Sequence, residues 1–118
     1  MPAGARTSPA DLTPIAFEVL LSLVDGPQHG YGIKLDIEAR TEGELSLGSG
    51  TLYQAIQRLE REGLIADARV AGDRLDPRRG RSYRLQPAGL AALRGHLRRL
   101  NRAIDYARAR KLLPVTKS

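Results

Sequence analysis

Leu47-Gly48-Ser49-Gly50-Thr51-Leu52-Tyr53-Gln54-Ala55-Ile56-Gln57-Arg58-Leu59-Glu60-Arg61-Glu62-Gly63-Leu64-Ile65 is the stretch from which the rest of the chain is read. It has the marks of one helix, with a start, two unlike faces and a stop. Ser49 is placed to cap the first turn through its hydroxyl. Leu52, Ile56 and Leu59 recur at i, i+4 and i+7 and predict one buried face. Thr51, Gln54, Gln57, Arg58 and Arg61 fall on the other side, a face of donors and positive charge without a carboxylate among them. Gly63 ends the helix and Leu64-Ile65 turns the chain toward an extended segment. A helix with this outward face suits a DNA major groove, where Arg pairs with guanine and Gln with adenine. An ordinary amphipathic surface helix fits the same residues, so the surroundings have to decide.

Upstream, Leu12-Thr13-Pro14 opens a first helix, with Thr13 at the cap and Pro14 at the first helical position. Leu12 and Phe17 have the spacing of a hydrophobic staple. The helix runs on through Val19, Leu20, Leu23 and Val24 to Asp25-Gly26-Pro27, and its broad apolar face predicts cover on more than one side. A second helix is expected from His29-Gly30-Tyr31 to about Thr41, with Ile33 and Ile37 inward and Lys34 and Glu38 outward. Leu45-Ser46-Leu47 alternates like a brief strand.

Downstream, Leu64, Ala66, Ala68 and Val70 predict one face of a strand. A loop rich in Gly, Pro and Arg follows over 71–80, and Arg81-Ser82-Tyr83-Arg84-Leu85 returns antiparallel. The order is that of a winged helix-turn-helix, mainly α with a small β-hairpin wing. A long last helix from Pro87 to about Leu113 carries Leu90, Leu93, Leu97, Leu100, Ile104 and Ala107 at spacings of 3 and 4. That 3.5-residue period is a seam for a partner helix, with Gly89 and Gly95 weakening the helix locally by about 1 kcal/mol each. The expected organisation is a disordered tail over 1–10, a DNA-binding domain over 11–86, a dimerisation helix over 87–113 and a tail over 114–118.

Composition narrows the function. The 118 residues suit one domain, and with no Trp, one Phe and four Tyr the core has to be aliphatic. No cysteine means no disulfide framework and no thiolate chemistry. There is no apolar run of membrane-spanning length and no leader-like start, which points to a cytoplasmic protein and no membrane partner. The formal net charge is +6, and sixteen of the nineteen basic residues are Arg. Between Arg69 and Arg102 ten arginines face only Asp73 and Asp76, a local positive field suited to a polyanion. No Ser, His and acid residues cluster for catalysis, so no enzyme and no catalytic residue is expected. With two histidines and no Cys, neither a metal nor a cofactor is expected. His29 is read as a helix-start residue, with a phosphate contact as the alternative, and His96 is placed on the polar side of the last helix. Leu47-Gly48-Ser49-Gly50-Thr51 lacks the Lys of a phosphate-binding loop.

Taken together, several segments resemble the PadR family of bacterial transcription regulators: Leu12-Thr13-Pro14; Gly26-Pro27-Gln28-His29-Gly30-Tyr31; Gly50-Thr51-Leu52-Tyr53 with Arg58-Leu59-Glu60 and Gly63-Leu64-Ile65; and Asp76-Pro77-Arg78-Arg79 with Tyr83-Arg84-Leu85. The likeness covers about residues 12–113. It implies a homodimeric winged helix-turn-helix protein, usually a repressor, of the shorter branch with one C-terminal helix. Gln86-Pro87-Ala88-Gly89 departs from the Thr and acidic residue usual after the wing, though Pro87 serves the same helix start. The resemblance leaves room for a small-molecule effector at the dimer interface. The Trp-built pocket used by some members does not carry over to a chain without Trp.

The resulting expectation is a homodimer binding a pseudo-palindromic operator on double-stranded DNA. Gln54, Gln57, Arg58 and Arg61 would read bases, while Ser49, Thr51, Tyr53, Tyr31, Lys34 and wing residues Arg74, Arg78, Arg79 and Arg81 hold phosphates. Leu90, Leu93, Leu97, Leu100, Ile104 and Ala107, with Phe17 and Leu21 from the first helix, would form the dimer interface. The rivals are a winged helix used only for protein–protein contact and a basic nucleic-acid-binding protein with little sequence preference.

Overall fold

The computed structural model describes residues 12–45, 48–68 and 81–114. The wing loop with Arg74, Arg78 and Arg79, the pair Ser46-Leu47, the expected tail over 1–10 and all but Pro114 of the expected tail over 114–118 lie outside them. Helix α1 spans Pro14–Ser22, strand β1 Gln28–His29, helix α2 Gly30–Arg40 and helix α3 Ser49–Arg61. Strands β2 (Ile65–Ala68) and β3 (Ser82–Leu85) and helix α4 (Pro87–Ala109) complete the order.

Local chemistry sets the helix ends. The Thr13 hydroxyl accepts a hydrogen bond from the Ala16 amide at 3.1 Å, as a cap ahead of Pro14 should. Helix α1 ends at Ser22, so Val24 lies beyond it on the surface. Gly48, not Ser49, occupies the N-cap of α3, and Ser49 is its first helical residue. The helix starts one residue early because glycine in an extended conformation is acceptable at that position. At the other end Gly63 has φ of 77°, and the Gly63 and Leu64 amides donate to the Glu60 and Leu59 carbonyls at 3.0 and 2.9 Å. This is a Schellman turn, in which the left-handed residue satisfies the last carbonyls. Helix α4 closes the same way, with Lys111 at φ 62°, and its last helical residue, Ala109, comes four residues before the expected Leu113. At 23 residues it is roughly 35 Å long.

The core is aliphatic apart from Tyr83: Val19, Leu20 and Leu23 of α1 and its C-terminus, Ile33 and Ile37 of α2, Leu52, Ile56 and Leu59 of α3, Ile65, and Leu93 of α4. Helix α1 touches α2, α3 and α4, which explains its broad apolar face. Gln28 ties its C-terminal end to α2, donating through Nε2 to the Ser22 carbonyl at 2.7 Å and to Asp36 at 2.6 Å. Arg40 adds a bond to the Glu18 carboxylate at 2.9 Å.

The sheet has three antiparallel strands in the order β1-β3-β2. The third strand comes from Gln28–His29; Leu45 of the expected 45–47 strand sits in a bend. The expected face of Leu64, Ala66, Ala68 and Val70 also changes. Ile65 and Ala68 are buried while Leu64 and Ala66 are half-buried. Leu64 is taken up by the turn after α3 and the strand begins at Ile65; its two buried residues, Ile65 and Ala68, lie on opposite faces, so a simple alternation is not kept.

Two residues of α4 are relocated. His96 is buried at 8% exposure, its ring 4.7 Å from that of Phe17 on α1, rather than on the polar side. Leu93 is 2% exposed, inside its own chain's core and not on a surface seam. Gly89 lets α4 start against the turn after α3, because a Cβ there would overlap the Leu64 carbonyl oxygen. That same oxygen accepts the Gln86 amide at 3.0 Å.

Candidate nucleic-acid interface

The buried stripe of α3 fixes which side of it faces outward. With Leu52, Ile56 and Leu59 in the core, Thr51, Tyr53, Gln54, Gln57, Arg58 and Arg61 are all exposed. Thr51, Gln54, Gln57, Arg58 and Arg61 meet Leu12 and Thr13 ahead of α1 and Ile15 and Ala16 within it across an open groove of about 550 Å³. The structure thus brings the expected base-reading residues together on one surface.

One expectation about that surface is corrected. Glu62 belongs to it, because Arg58 donates through Nε to Glu62 Oε2 at 3.0 Å, one turn along the helix. Tyr31 and Lys34 sit on α2 and do not line the groove. Tyr31 is 65% exposed, and Lys34 pairs with Glu38 at 3.4 Å.

Arg81, expected to hold a phosphate, stands in a network of its own chain. Its guanidinium lies 2.9 Å from Glu60 of α3 and 3.1 Å from Asp67 of β2, and 5.5 Å above the Tyr83 ring. Desolvation works against its charge, but these carboxylates outweigh it and raise the guanidinium's pKa further. The Tyr83 phenol is pushed up to about 12, chiefly by burial and next by the neighbouring Tyr53. Tyr53 itself remains half exposed. Glu60, Asp67 and Tyr83 were not singled out from the sequence as site residues. The Tyr53–Glu60 spacing of seven puts both on one helix edge, but which edge meets the hairpin depends on tertiary packing.

Of the dimer-interface candidates, Leu97 is 40% exposed and Leu100 and Ile104 36% each. Leu90, Ala107, Phe17 and Leu21 are half-buried. Among the described residues no cluster of three metal-ligating side chains lies together, and no helix is long and apolar enough to cross a membrane.

Known proteins share this arrangement. A curated relative, an uncharacterized 37.1 kDa protein in transposon TN4556 of Streptomyces fradiae, is 42% identical over 71 residues. Those residues are 60% of this chain and 18% of the relative, so the chain spans about a fifth of that protein. A PadR family transcription regulator from Clostridium difficile superposes with a TM-score of 0.68 at 22% identity, covering 82% of this chain and 97% of the other. A transcriptional regulator from Clostridium thermocellum gives 0.65 at 24%, over 80% and 87%. Bacillus subtilis PadR, solved in complex with operator DNA, gives 0.60 at 22%, over 72% and 47%. At these identities the superpositions establish the winged-helix fold. Residues 19–95 match the PadR-like transcriptional regulator family, a family of regulators and not of enzymes, and the chain belongs to it.

Proposed function

We propose that this chain is a sequence-specific DNA-binding repressor, acting in the cytoplasm as a homodimer on a pseudo-palindromic operator. One observation carries the reading. Thr51, Gln54, Gln57, Arg58 and Arg61 line one exposed side of α3 while its other side is held in the core. A rigid helix presenting Gln and Arg is the recognition element of this fold, and family membership and the operator complex of Bacillus subtilis PadR support that role. Gln54, Gln57, Arg58 and Arg61 then read bases. Thr51 and Tyr53, Tyr31 and Lys34 of α2, and Arg74, Arg78 and Arg79 of the wing hold phosphates. Leu97, Leu100 and Ile104 of α4, flanked by Leu90 and Ala107 and backed by Phe17 and Leu21 of α1, meet the same residues of a second copy. A small-molecule effector would act at that interface.

The test is binding to the chain's own promoter region beside random DNA across a salt series. Phosphate neutralisation at six to ten contacts predicts a loss of on the order of 10³–10⁵ in affinity between 50 and 200 mM salt. The operator should remain preferred, and footprinting should show two half-sites about one helical turn apart. A flat salt response favours the protein–protein module. Equal affinity for both DNAs favours a non-specific binder.

A further inference from the structure

The edge of α3 beside the hairpin carries Tyr53 and Glu60, two turns apart on one line of the helix. Glu60 is held from the hairpin by Arg81, the residue that leads into β3, which donates to Glu60 Oε2 at 2.9 Å. The same guanidinium reaches Asp67 Oδ2 at 3.1 Å. Asp67 lies opposite Tyr83 in the antiparallel register, which makes Arg81 its diagonal neighbour across the pair. Through Nη2, one guanidinium therefore joins α3, β2 and the residue that leads into β3.

Folding stability does not account for this node. Arg81 and Asp67 are about half exposed, and ion pairs this wet contribute little. The node fixes geometry instead. A guanidinium holds two carboxylates in set directions, which the rotating ammonium of a Lys cannot do. Base-edge hydrogen bonds depend on close placement of the helix, whereas phosphate contacts follow charge.

We propose that Glu60 and Arg81 are positioning residues: they fix α3 against the hairpin and thereby set discrimination between operator and random DNA, without touching a base. This rests on the DNA-binding reading above. Loss of the node leaves the phosphate contacts in place and blurs base readout.

The experiment uses the full chain as wild type, Glu60→Gln, Arg81→Lys and the double variant. Kd is measured for an operator duplex and for a random duplex of equal length, with thermal melting alongside. Each single variant should lose about tenfold in the operator-to-random ratio, with melting within a few degrees of wild type. Glu60→Gln should bind random DNA more tightly, having lost a negative charge, while its operator affinity does not rise. The double variant should be no worse than the weaker single, because both changes break one node. The proposal is overturned if both affinities move together and the ratio holds, which is a charge effect alone. It is also overturned if the losses in the two singles multiply in the double. A wild-type chain that binds neither duplex, or binds both equally, removes the DNA reading and this inference with it.

Discussion

Helices α3 and α4 are both amphipathic, but only α3 is fully covered by its own chain. Leu52, Ile56 and Leu59 are buried along the whole length of α3, and its hairpin edge is fastened by the Arg81–Glu60 pair. In α4 that cover stops halfway. Ala92, Leu93 and His96 are inside the fold, whereas Leu97, Leu100 and Ile104 continue the same seam at 36–40% exposure. The break falls just past His96, whose ring packs on Phe17 of α1. A helix that keeps its apolar period beyond the cover of its own core is suited to a second apolar surface. One that swaps to Gln and Arg on its free side is suited to a polar partner.

The largest expected effect separates the halves of α4. Leu93→Asp puts an unpaired carboxylate into the core and should unfold the chain, a cost well beyond the about 2–5 kcal/mol of a truncation to Ala. Leu97→Asp, four residues on, should leave the circular dichroism spectrum intact and shift sedimentation from dimer to monomer. Burial at a dimer interface stabilises such a leucine by about 1.5–3 kcal/mol. A folded Leu97→Asp dimer would mean that the seam is not the interface.

Glycines give the next comparison. An added Cβ at Gly50 in α3 meets nothing within 4 Å, whereas at Gly89 in α4 it overlaps the Leu64 carbonyl oxygen. Gly50→Ala should therefore stabilise by a few tenths to about 1 kcal/mol through helix propensity. Gly89→Ala should destabilise by about 1–2 kcal/mol net, since overpacking outweighs the same gain. Urea midpoints that move in the same direction for both would refute the close approach of α4 to the turn after α3.

These positions show how far the sequence reaches. The Thr13-Pro14 start and the Gly63 stop are legible because cap chemistry is local. The buried stripe of α3 is legible because its period matches the helix. Leu93 and Leu97 are not distinguishable in sequence: they share one seam, and only tertiary packing decides that Leu93 is inside and Leu97 is not. His96 looks polar until the Phe17 ring is placed against it, a contact between residues 79 positions apart. The Glu60–Arg81–Asp67 node depends on hairpin register, and the long connection between β2 and β3 does not specify it. Glu62 could have been paired with Arg58 from the i,i+4 spacing alone.

That pair supplies the smallest expected effect and tests the exposed face of α3 directly. Arg58 donates to Glu62 at 3.0 Å in the free protein, yet its guanidinium is more than half exposed. The bond contributes about 0.3–0.5 kcal/mol to an isolated helix, so Glu62→Gln should barely move the melting temperature. Reading a base requires Arg58 to leave this carboxylate, and the Gln variant removes that competition. Operator affinity should rise by roughly twofold to fivefold, a gain comparable to the energy of one exposed pair. Loss of any negative charge strengthens DNA binding somewhat, so Glu44→Gln, in the turn after α2, serves as the charge control. The gain should be larger for Glu62→Gln than for Glu44→Gln, and it should vanish when Arg58 is also replaced by Ala. Equal gains in the two Gln variants, or a gain that survives Arg58→Ala, would show that Arg58 is not the residue being released.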